Sequence, residues 1–439
     1  MKGFLKFFLI SMSLGLLFGN LNANTLGDLA ATMKAGDWRQ LTTTGMPAAL
    51  AASGSSGGII GYSSSAAWDS KGEKFYYIGS DHCDTRRFVC YDASTNAWSR
   101  LPQPPWVNPA GYCNGMGHGY DHQDINVAAG IYYFRENYLV HCYKISTGTW
   151  SDTPENTDIY SIALGVSYFP EAHGLFVADM QIQKTWIFLD ATSQWKTLSP
   201  VVGTSGSYHG ISEYNPVHKV VIFGGGNGNR SLYKMDSLQT ITRLKDSPVD
   251  LNCSSLSSLL TVDPVSGDYL VFTSDGLFHI YNVLTDTWTM GPGSNLFGST
   301  KGGSNGAVWG VIATPISNYG VVMFAKDNLA NSMVYIYKHS SGAGIDNQKV
   351  NSSAAEGLKV DVSPNPFSSS AAISIASNGH GNVSAGIYNV QGKCVADLSS
   401  RFAGDNRIIW DAGSLPAGIY LLHGSDGNGR FSKTLLLRK

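Results

Sequence analysis

The sequence has little charge and no clustered charge of one sign. Only 14% of its 439 residues are charged, the net charge is −2, and the 30 lysine and arginine residues are scattered singly. A phosphate backbone or an anionic bilayer is bound by clustered positive charge. Nucleic acids and membrane surfaces are therefore not expected as partners.

Long apolar runs are also scarce. After residue 23 no segment approaches the roughly 20 consecutive apolar residues that cross a bilayer, so membrane insertion is not expected. The first residues differ, because Lys2 and Lys6 precede an apolar run over residues 7–18 and a small residue, Ala23, follows it. This pattern predicts a secretory signal peptide over residues 1–23, cut after Ala23.

Cysteine is sparse for a chain predicted to reach an oxidising compartment. There are six: Cys83, Cys90, Cys113, Cys142, Cys253 and Cys394. Cys83 and Cys90 flank one short loop and could form a disulfide, whereas Cys90 and Cys142 hold matching positions in successive repeats and should lie too far apart. The sequence leaves the remaining pairings open.

Glycine and aromatic residues are abundant, with 50 Gly, 22 Tyr, 18 Phe and 10 Trp, which favours many short strands joined by tight turns. A repeat runs through them: a strand ending in an aromatic residue, a polar turn, then Trp. The turn-and-Trp markers recur every 45 to 52 residues or so, which suits a four-stranded propeller blade. They are Trp98, Trp150, Trp195 and Trp288, with Ile241 at the matching position of one repeat.

The two ends of the repeat region complement each other. Val334–Tyr337 is a third strand with no Trp strand after it, and Asp37–Leu41 is a Trp strand with no repeat before it. Pairing these two segments would close a ring of six repeats over residues 37–340 and remove two exposed sheet edges. The predicted fold class is therefore all-β.

The repeat resembles the kelch repeat, in which Tyr-Asp-x-x-Thr-x-x-Trp ends a blade and the second strand ends in glycines, as at residues 221–226. The resemblance implies a six-bladed kelch-type β-propeller. The five Trp residues Trp38, Trp98, Trp150, Trp195 and Trp288 are then predicted to pack the blades.

Behind a polar linker at residues 341–356, alternating strands over residues 357–439 predict a small immunoglobulin-like β-sandwich. This tail begins with Pro364-Asn365-Pro366-Phe367 and ends in a basic strand. It resembles the C-terminal sorting domain of type IX (Por) secretion. The resemblance implies export by the type IX machinery and a secreted or outer-cell-surface location, and an ordinary immunoglobulin-like accessory domain is the alternative.

Candidate catalytic residues come from the starts of two blades. His118, Tyr120, His122 and Asp124 would share one face of a continuous strand, and the matching segment of another blade supplies His209. Kelch repeats often carry such histidines for structural reasons, so the sequence leaves a structural role open for His118 and His209. Candidate ligand-binding residues lie in the loops of the same face: Asp81, His82, Arg86, Arg87, Trp106, Tyr112, Tyr160 and Tyr208.

Three functions remain open on the sequence. The leading hypothesis is a propeller that binds an extracellular polysaccharide or protein through its central funnel. The second is a polysaccharide lyase in which His or Tyr removes a proton and Arg86 or Arg87 offsets the developing charge. The third is a copper-radical oxidase similar to galactose oxidase, on the positions of Cys113, Tyr160 and Tyr208-His209. The sequence names no cofactor and leaves binding and catalysis both possible.

Overall fold

The computed structural model describes most of the chain from residue 25 onwards. The described ranges are 25–51, 59–80, 85–108, 118–159, 164–198, 208–253, 258–273, 276–292, 310–327, 332–340, 359–376, 383–389, 394–402, 407–425 and 430–438. The predicted signal peptide and the predicted linker lie outside them. The chain divides into two compact units, Met1–Gly344 and Ile345–Lys439.

The first unit contains six four-stranded antiparallel sheets among its described residues. Its strands in chain order are β1 (Trp38–Leu41), β2 (Ala67–Asp69), β3 (Lys74–Gly79), β4 (Arg87–Asp92), β5 (Ala97–Arg100), β6 (Gln123–Asn126), β7 (Ile131–Glu136), β8 (Leu139–Lys144), β9 (Thr149–Asp152), β10 (Gly165–Phe169), β11 (Gly174–Asp179), β12 (Lys184–Leu189), β13 (Gln194–Thr197), β14 (Gly210–Asn215), β15 (Val220–Gly225), β16 (Leu232–Met235), β17 (Ile241–Leu244), β18 (Ser258–Val262), β19 (Tyr269–Thr273), β20 (Leu277–Asn282), β21 (Thr287–Pro292), β22 (Val311–Ile316), β23 (Val321–Lys326) and β24 (Met333–Tyr337).

Five sheets take four consecutive strands each, from β2–β5 to β18–β21, and the sixth has the order β1-β24-β23-β22. In that sheet Trp38 lies opposite Tyr337 and Leu41 opposite Val334. The predicted pairing of the first strand with the last is therefore confirmed. It joins the two ends of the first unit and covers the edge that β24 would otherwise expose.

The first strands of the sheets contact one another in a cyclic order. β2 contacts β6, β6 contacts β10, β10 contacts β14, β14 contacts β18, β18 contacts β22, and β22 contacts β2. Residues on these strands thus converge from six distant parts of the chain.

Aromatic pairs hold the third and fourth strands of most sheets together. Ring centroids lie 5.3 Å apart for Tyr91 and Trp98, 5.0 Å for Tyr143 and Trp150, 5.3 Å for Phe188 and Trp195, 4.7 Å for Tyr281 and Trp288, and 4.6 Å for Tyr337 and Trp38. Each pair sits directly opposite across two strands. The predicted packing role of the five Trp residues is confirmed.

Two short helices occur near the start of the first unit: α1 (Thr25–Ala31) precedes β1, and α2 (Met46–Leu50) precedes β2. They bury Leu26, Ala30 and Leu50 in the core of this unit. A 3₁₀ turn spans Pro170–Ala172. Within the part of the chain that is described, no helix has the length and apolar character needed to cross a membrane.

The second unit has two antiparallel sheets that share one core. Its strands are β25 (Lys359–Ser363), β26 (Ser370–Ala376), β27 (Ser384–Asn389), β28 (Cys394–Asp397), β29 (Arg407–Asp411), β30 (Gly418–Ser425) and β31 (Arg430–Leu437), with a 3₁₀ turn at Ser399–Arg401. The sheet orders are β25-β26-β29 and β28-β27-β30-β31.

The opening motif and the terminal strand of this unit are bonded to each other. The Phe367 N–H donates to the Leu436 carbonyl at 3.0 Å, and the Arg438 N–H donates to the Phe367 carbonyl at 2.8 Å. Phe367 is buried, with its ring 5.5 Å from that of Trp410. The opening Pro-Asn-Pro-Phe motif and the basic terminal strand, on which the resemblance of the tail depends, are thus adjacent in the structure.

Four cysteines lie among the described residues, and all are free thiols: Cys90, Cys142, Cys253 and Cys394. Of the pair considered for a disulfide, Cys90 is a free thiol and Cys83 lies outside the described residues. Burial raises the pKa of Cys90 to about 12, so its thiol stays protonated and unreactive at neutral pH.

Candidate functional site

The segment before β6 does not form the continuous strand that the sequence predicted. The strand begins at Gln123, and Tyr120 takes a left-handed conformation with φ 45°. Gly119 allows this turn, because a Cβ there would lie 2.7 Å from Ser63 Oγ and 2.8 Å from the Ile78 carbonyl oxygen. The prediction that His118 to Asp124 alternate along one strand is therefore wrong.

The left-handed turn nevertheless gathers the four candidate catalytic residues. The Tyr120 ring centroid lies 5.3 Å from that of His118, 5.2 Å from His122 and 5.4 Å from His209. All four residues are buried, with exposed fractions of 1% for His118, 5% for Tyr120, 3% for His122 and 6% for His209. We call this group the histidine cluster.

Each imidazole of the histidine cluster is held by backbone or amide groups. His118 Nδ1 lies 2.9 Å from the Ser80 carbonyl oxygen, and His209 Nδ1 lies 2.8 Å from Asn227 Oδ1. The Leu164 N–H donates to His122 Nε2 at 3.2 Å. The contacts of His118 and His122 join segments of different sheets, whereas that of His209 lies within the β14–β17 sheet.

Burial keeps three members of the histidine cluster uncharged: Tyr120, His122 and His209. Burial, reinforced by the nearby charges of Arg135 and Arg86, holds the pKa of His122 well below its usual value. Burial also lowers the pKa of His209, although the Asn227 hydrogen bond opposes this, and burial raises the pKa of Tyr120. The His122 and His209 imidazoles are therefore neutral and the Tyr120 phenol is protonated at neutral pH.

Arg86 and Trp106, two of the candidate ligand-binding residues, lie in a buried ionic network. Arg86 Nη1 is 2.6 Å from Glu136 Oε1, and the His141 Nδ1 atom is 2.6 Å from Asp152 Oδ1. The Trp106 ring stacks on His141, with centroids 3.8 Å apart and planes within 3°. Both residues therefore connect the β2–β5 and β6–β9 sheets.

The other candidate ligand-binding residues are more scattered. Arg87 begins β4, and its Nη1 donates to the Arg86 carbonyl at 3.4 Å. Tyr208 is 44% exposed, and its ring centroid is 4.1 Å from that of His209. Four candidates lie outside the described residues: Asp81, His82, Tyr112 and Tyr160.

A cavity of about 630 Å³ opens at the opposite ends of the first strands. It is lined by residues of five of the six first strands, β2, β6, β10, β14 and β22, and by the turns that follow them. We call it the axial cavity. None of the eight predicted site residues that the structure describes lines it. Asp124, which the sequence placed beside the histidines, does line it, together with Asp121 and Glu213, which no sequence pattern indicated.

Three carboxyl groups face the axial cavity. Asp121 Oδ1 accepts a hydrogen bond from Ser65 Oγ at 2.6 Å, and its Oδ2 accepts one from the Ser212 N–H at 2.7 Å. Asp124 Oδ2 accepts a hydrogen bond from the Tyr168 N–H at 2.6 Å. The Glu213 carboxyl has no hydrogen bond or ion pair with the described residues.

Burial raises the pKa of all three acids. The pKa of Asp121 rises to about 7 and that of Asp124 to about 7. The pKa of Glu213 lies well above its usual value, because of burial first and then the neighbouring Asp121 and Asp124. At neutral pH the axial cavity can therefore hold or release protons, as acid–base sites and cation sites both do.

The described residues contain no group of three or more His, Cys, Asp and Glu side chains arranged to hold a metal ion. Of the positions behind the copper-oxidase hypothesis, Cys113 and Tyr160 lie outside the described residues. Tyr208 and His209 are described, and His209 is engaged with Asn227.

Comparisons with solved structures give distant likenesses only. PorZ, a bacterial surface component of the type IX secretion system of Porphyromonas gingivalis, matches with 12% identity and a TM-score of 0.38, over 88% of this chain and 61% of PorZ. A Bacteroides thetaiotaomicron protein of unknown function matches with 11% identity and a TM-score of 0.43, over 70% of this chain and 76% of that protein. A nidogen/laminin complex matches with 6% identity and a TM-score of 0.38, over 53% of this chain and 80% of that one.

The chain thus spans about three fifths of the length of PorZ. No curated protein matches the sequence. The tail gives a family match: residues 361–438 match the secretion system C-terminal sorting domain. Within the chain, the second unit is a Por secretion sorting domain, and the protein that carries it is exported through the type IX system to the cell surface or beyond.

Proposed function

We propose that the first unit is a six-bladed kelch-type β-propeller, exported to bind an extracellular polysaccharide or protein. Six four-stranded sheets, the cyclic contacts of their first strands and the pairing of β1 with β24 support this architecture. The proposed domains are the propeller at residues 37–340, a linker at residues 341–356 and the sorting domain at residues 357–439, behind a signal peptide at residues 1–23.

The observation that carries the binding function is the axial cavity. Its volume of about 630 Å³ lies within the range of small-ligand sites, about 300–1,000 Å³. By contrast, the four residues of the histidine cluster are buried, and a backbone or amide group engages one ring nitrogen of each imidazole. A lyase base must reach the substrate's proton, so this burial favours binding over lyase chemistry at the cluster.

The test screens the full-length exported protein against acidic and neutral polysaccharides, with binding measured by calorimetry and new unsaturated ends by ultraviolet absorbance. Ala128→Trp places a bulky ring at an exposed position on the cavity mouth, and Ala191→Trp makes the same change at an exposed turn away from the cavity. We expect the first variant to weaken binding at least about tenfold and the second to leave it unchanged.

If neither variant loses binding, the ligand binds away from the axial cavity. Appearance of unsaturated ends that His209→Ala abolishes would instead establish the lyase function. Either result would overturn the proposal.

A further inference from the structure

The wall of the axial cavity is apolar and acidic. Its apolar part includes Ala66, Val166, Pro170, Pro216, Ala313 and Pro315. Its acidic part is Asp121, Asp124 and Glu213. Among the described lining residues the groups that can carry positive charge are Lys71 and His173, and both are exposed in turns at the mouth.

Most polar groups of the wall already bond to one another. Ser167 Oγ and Ser212 Oγ are 2.8 Å apart, and Thr314 Oγ1 donates to the Ala66 carbonyl at 2.8 Å. Gln123 Oε1 accepts hydrogen bonds from the Tyr132 hydroxyl and the Ile78 N–H. Asp121 and Asp124 accept the bonds given above. The Glu213 carboxyl, which faces the same space, is left with open acceptor positions.

Among the residues that the structure describes, no countercharge lies near Glu213. It projects from β14, and the ionisable groups that act on it from the neighbouring strands are Asp121 and Asp124, which repel its ionised form. From β19 the Tyr269 hydroxyl reaches its backbone carbonyl, at 3.3 Å, and not its carboxyl. Lys71 and His173 lie at the mouth. An ionised Glu213 therefore has no countercharge among the described residues, and a cationic ligand in the axial cavity would supply one.

Two tyrosine rings in the wall are fixed in place. The Tyr168 hydroxyl donates to Asp190 Oδ2 at 2.6 Å, and the Tyr214 hydroxyl donates to Glu171 Oε2 at 2.9 Å. Their polar ends are therefore occupied. Lys219 Nζ already lies 6.0 Å from the Tyr214 ring centroid, which leaves the Tyr168 ring to contact the ligand. Aromatic faces and apolar walls around one carboxylate suit a cation attached to carbon, because the ring faces carry partial negative charge.

We propose that the axial cavity binds a primary ammonium group of its ligand, with the Glu213 carboxylate as counter-ion. This inference rests on the proposed function and specifies the chemistry of its ligand. A lysine side chain and an amino sugar both carry such a group, and the experiment separates them.

The experiment titrates the full-length protein by calorimetry with two matched pairs of probes. One pair is acetyl-Gly-Lys-Gly-amide and its norleucine analogue, which lacks the ammonium group. The other is glucosamine and glucose. We expect the charged member of at least one pair to bind about tenfold or more tightly than its neutral partner, and the pair that does so identifies the source of the group.

Proton release provides a second readout. In the free protein the raised pKa of Glu213 favours its protonated carboxyl. Ammonium binding requires the carboxylate, so ligand binding should release protons, up to one for each ligand bound, measured in two buffers of different ionisation enthalpy. Affinity for the lysine peptide should rise from pH 5 to pH 8, since the peptide stays charged and Glu213 loses its proton more easily.

Glu213→Gln should lower the affinity about 10- to 100-fold and abolish the proton release, because it removes a charged hydrogen-bond acceptor. Glu155→Gln makes the same change at an exposed residue away from the cavity and should alter neither quantity. A thermal melt of each variant controls for folding. If Glu213→Gln does not fold, proton release by the unmodified protein still tests the proposal.

Three results would overturn this inference. They are equal binding of charged and neutral partners, no binding of either charged probe, and a Glu213→Gln variant that folds and binds unchanged. In each case the polysaccharide screen with Ala128→Trp still decides the proposed function separately.

Discussion

Asp121 joins four sheets of the first unit, and its substitution should show how much this contact contributes to stability. Its carboxyl accepts hydrogen bonds from Ser65 of the strand region before β2 and from Ser212 of β14, while its carbonyl accepts one from the Val166 N–H of β10 at 3.0 Å. Asp121 itself is 3% exposed. One buried side chain thus connects segments 91 residues apart in the sequence.

Asp121→Ala should destabilise the first unit strongly. It leaves the buried Ser65 hydroxyl and Ser212 N–H without their acceptor, and each such group costs about 1–3 kcal/mol. The expected loss is therefore about 2–6 kcal/mol, from a total that is typically about 5–15 kcal/mol. Asp121→Asn should cost much less, since its amide oxygen can accept from Ser212 while its NH₂ group donates to Ser65.

The Asn variant should also change how stability depends on pH. Burial raises the pKa of Asp121 to about 7 in the folded protein, against about 3.9 when unfolded. Between these values the folded state holds the extra proton, so this group's contribution is greatest below about pH 4 and is lost as pH rises to 7. Asn cannot titrate, so the fall in unfolding free energy between pH 5 and 7 should be smaller by up to about 1.4 kcal/mol per pH unit.

The assay is urea unfolding of the full-length protein at several pH values, followed by tryptophan fluorescence, with Asp124→Asn as a second non-titrating variant. The reasoning is refuted if Asp121→Asn keeps the unmodified protein's pH slope. It is also refuted if Asp121→Ala costs less than about 1 kcal/mol.

Three further predictions address the ring closure, the tail and the histidine cluster. Trp38→Ala should lower the unfolding free energy in urea by about 3–5 kcal/mol, because Trp38 contacts four aromatic rings where β1 meets β24. Trp195→Ala, which removes a ring with one such contact, should cost less. Equal costs would contradict a special role for the closure. Removing residues 357–439 should leave the first unit folded but retained in the cell envelope of the native host, as tested by fractionation, and normal appearance at the surface or in the medium would refute a sorting role. His118→Ala and His209→Ala should each lower the melting temperature and leave ligand affinity unchanged; lost affinity at normal stability would place the site at the histidine cluster.

Much of the fold follows from local sequence patterns. In most repeats an aromatic residue and a Trp lie within a dozen residues of each other, with a polar turn between them. In the sheet these two residues lie opposite each other, as Tyr91 and Trp98 do. Their spacing therefore predicted the sheets, and the unmatched segments at each end predicted the pairing of Trp38 with Tyr337. Such contacts depend on alternation and turn chemistry, which a sequence displays directly.

The sequence alone could not locate the axial cavity. Tyr120 departs from the strand pattern, and the neighbouring Gly119 packs closely against Ser63 and Ile78, a contact that no local pattern reveals. Arg86 and Trp106 looked available for a ligand, but neighbouring sheets enclose them. Asp121 and Asp124 come from the segment around β6 and Glu213 from β14, and these segments approach each other only when the first strands of successive sheets assemble around β10. Their raised pKa values and shared cavity arise from that assembly, because burial and proximity are properties of the tertiary structure.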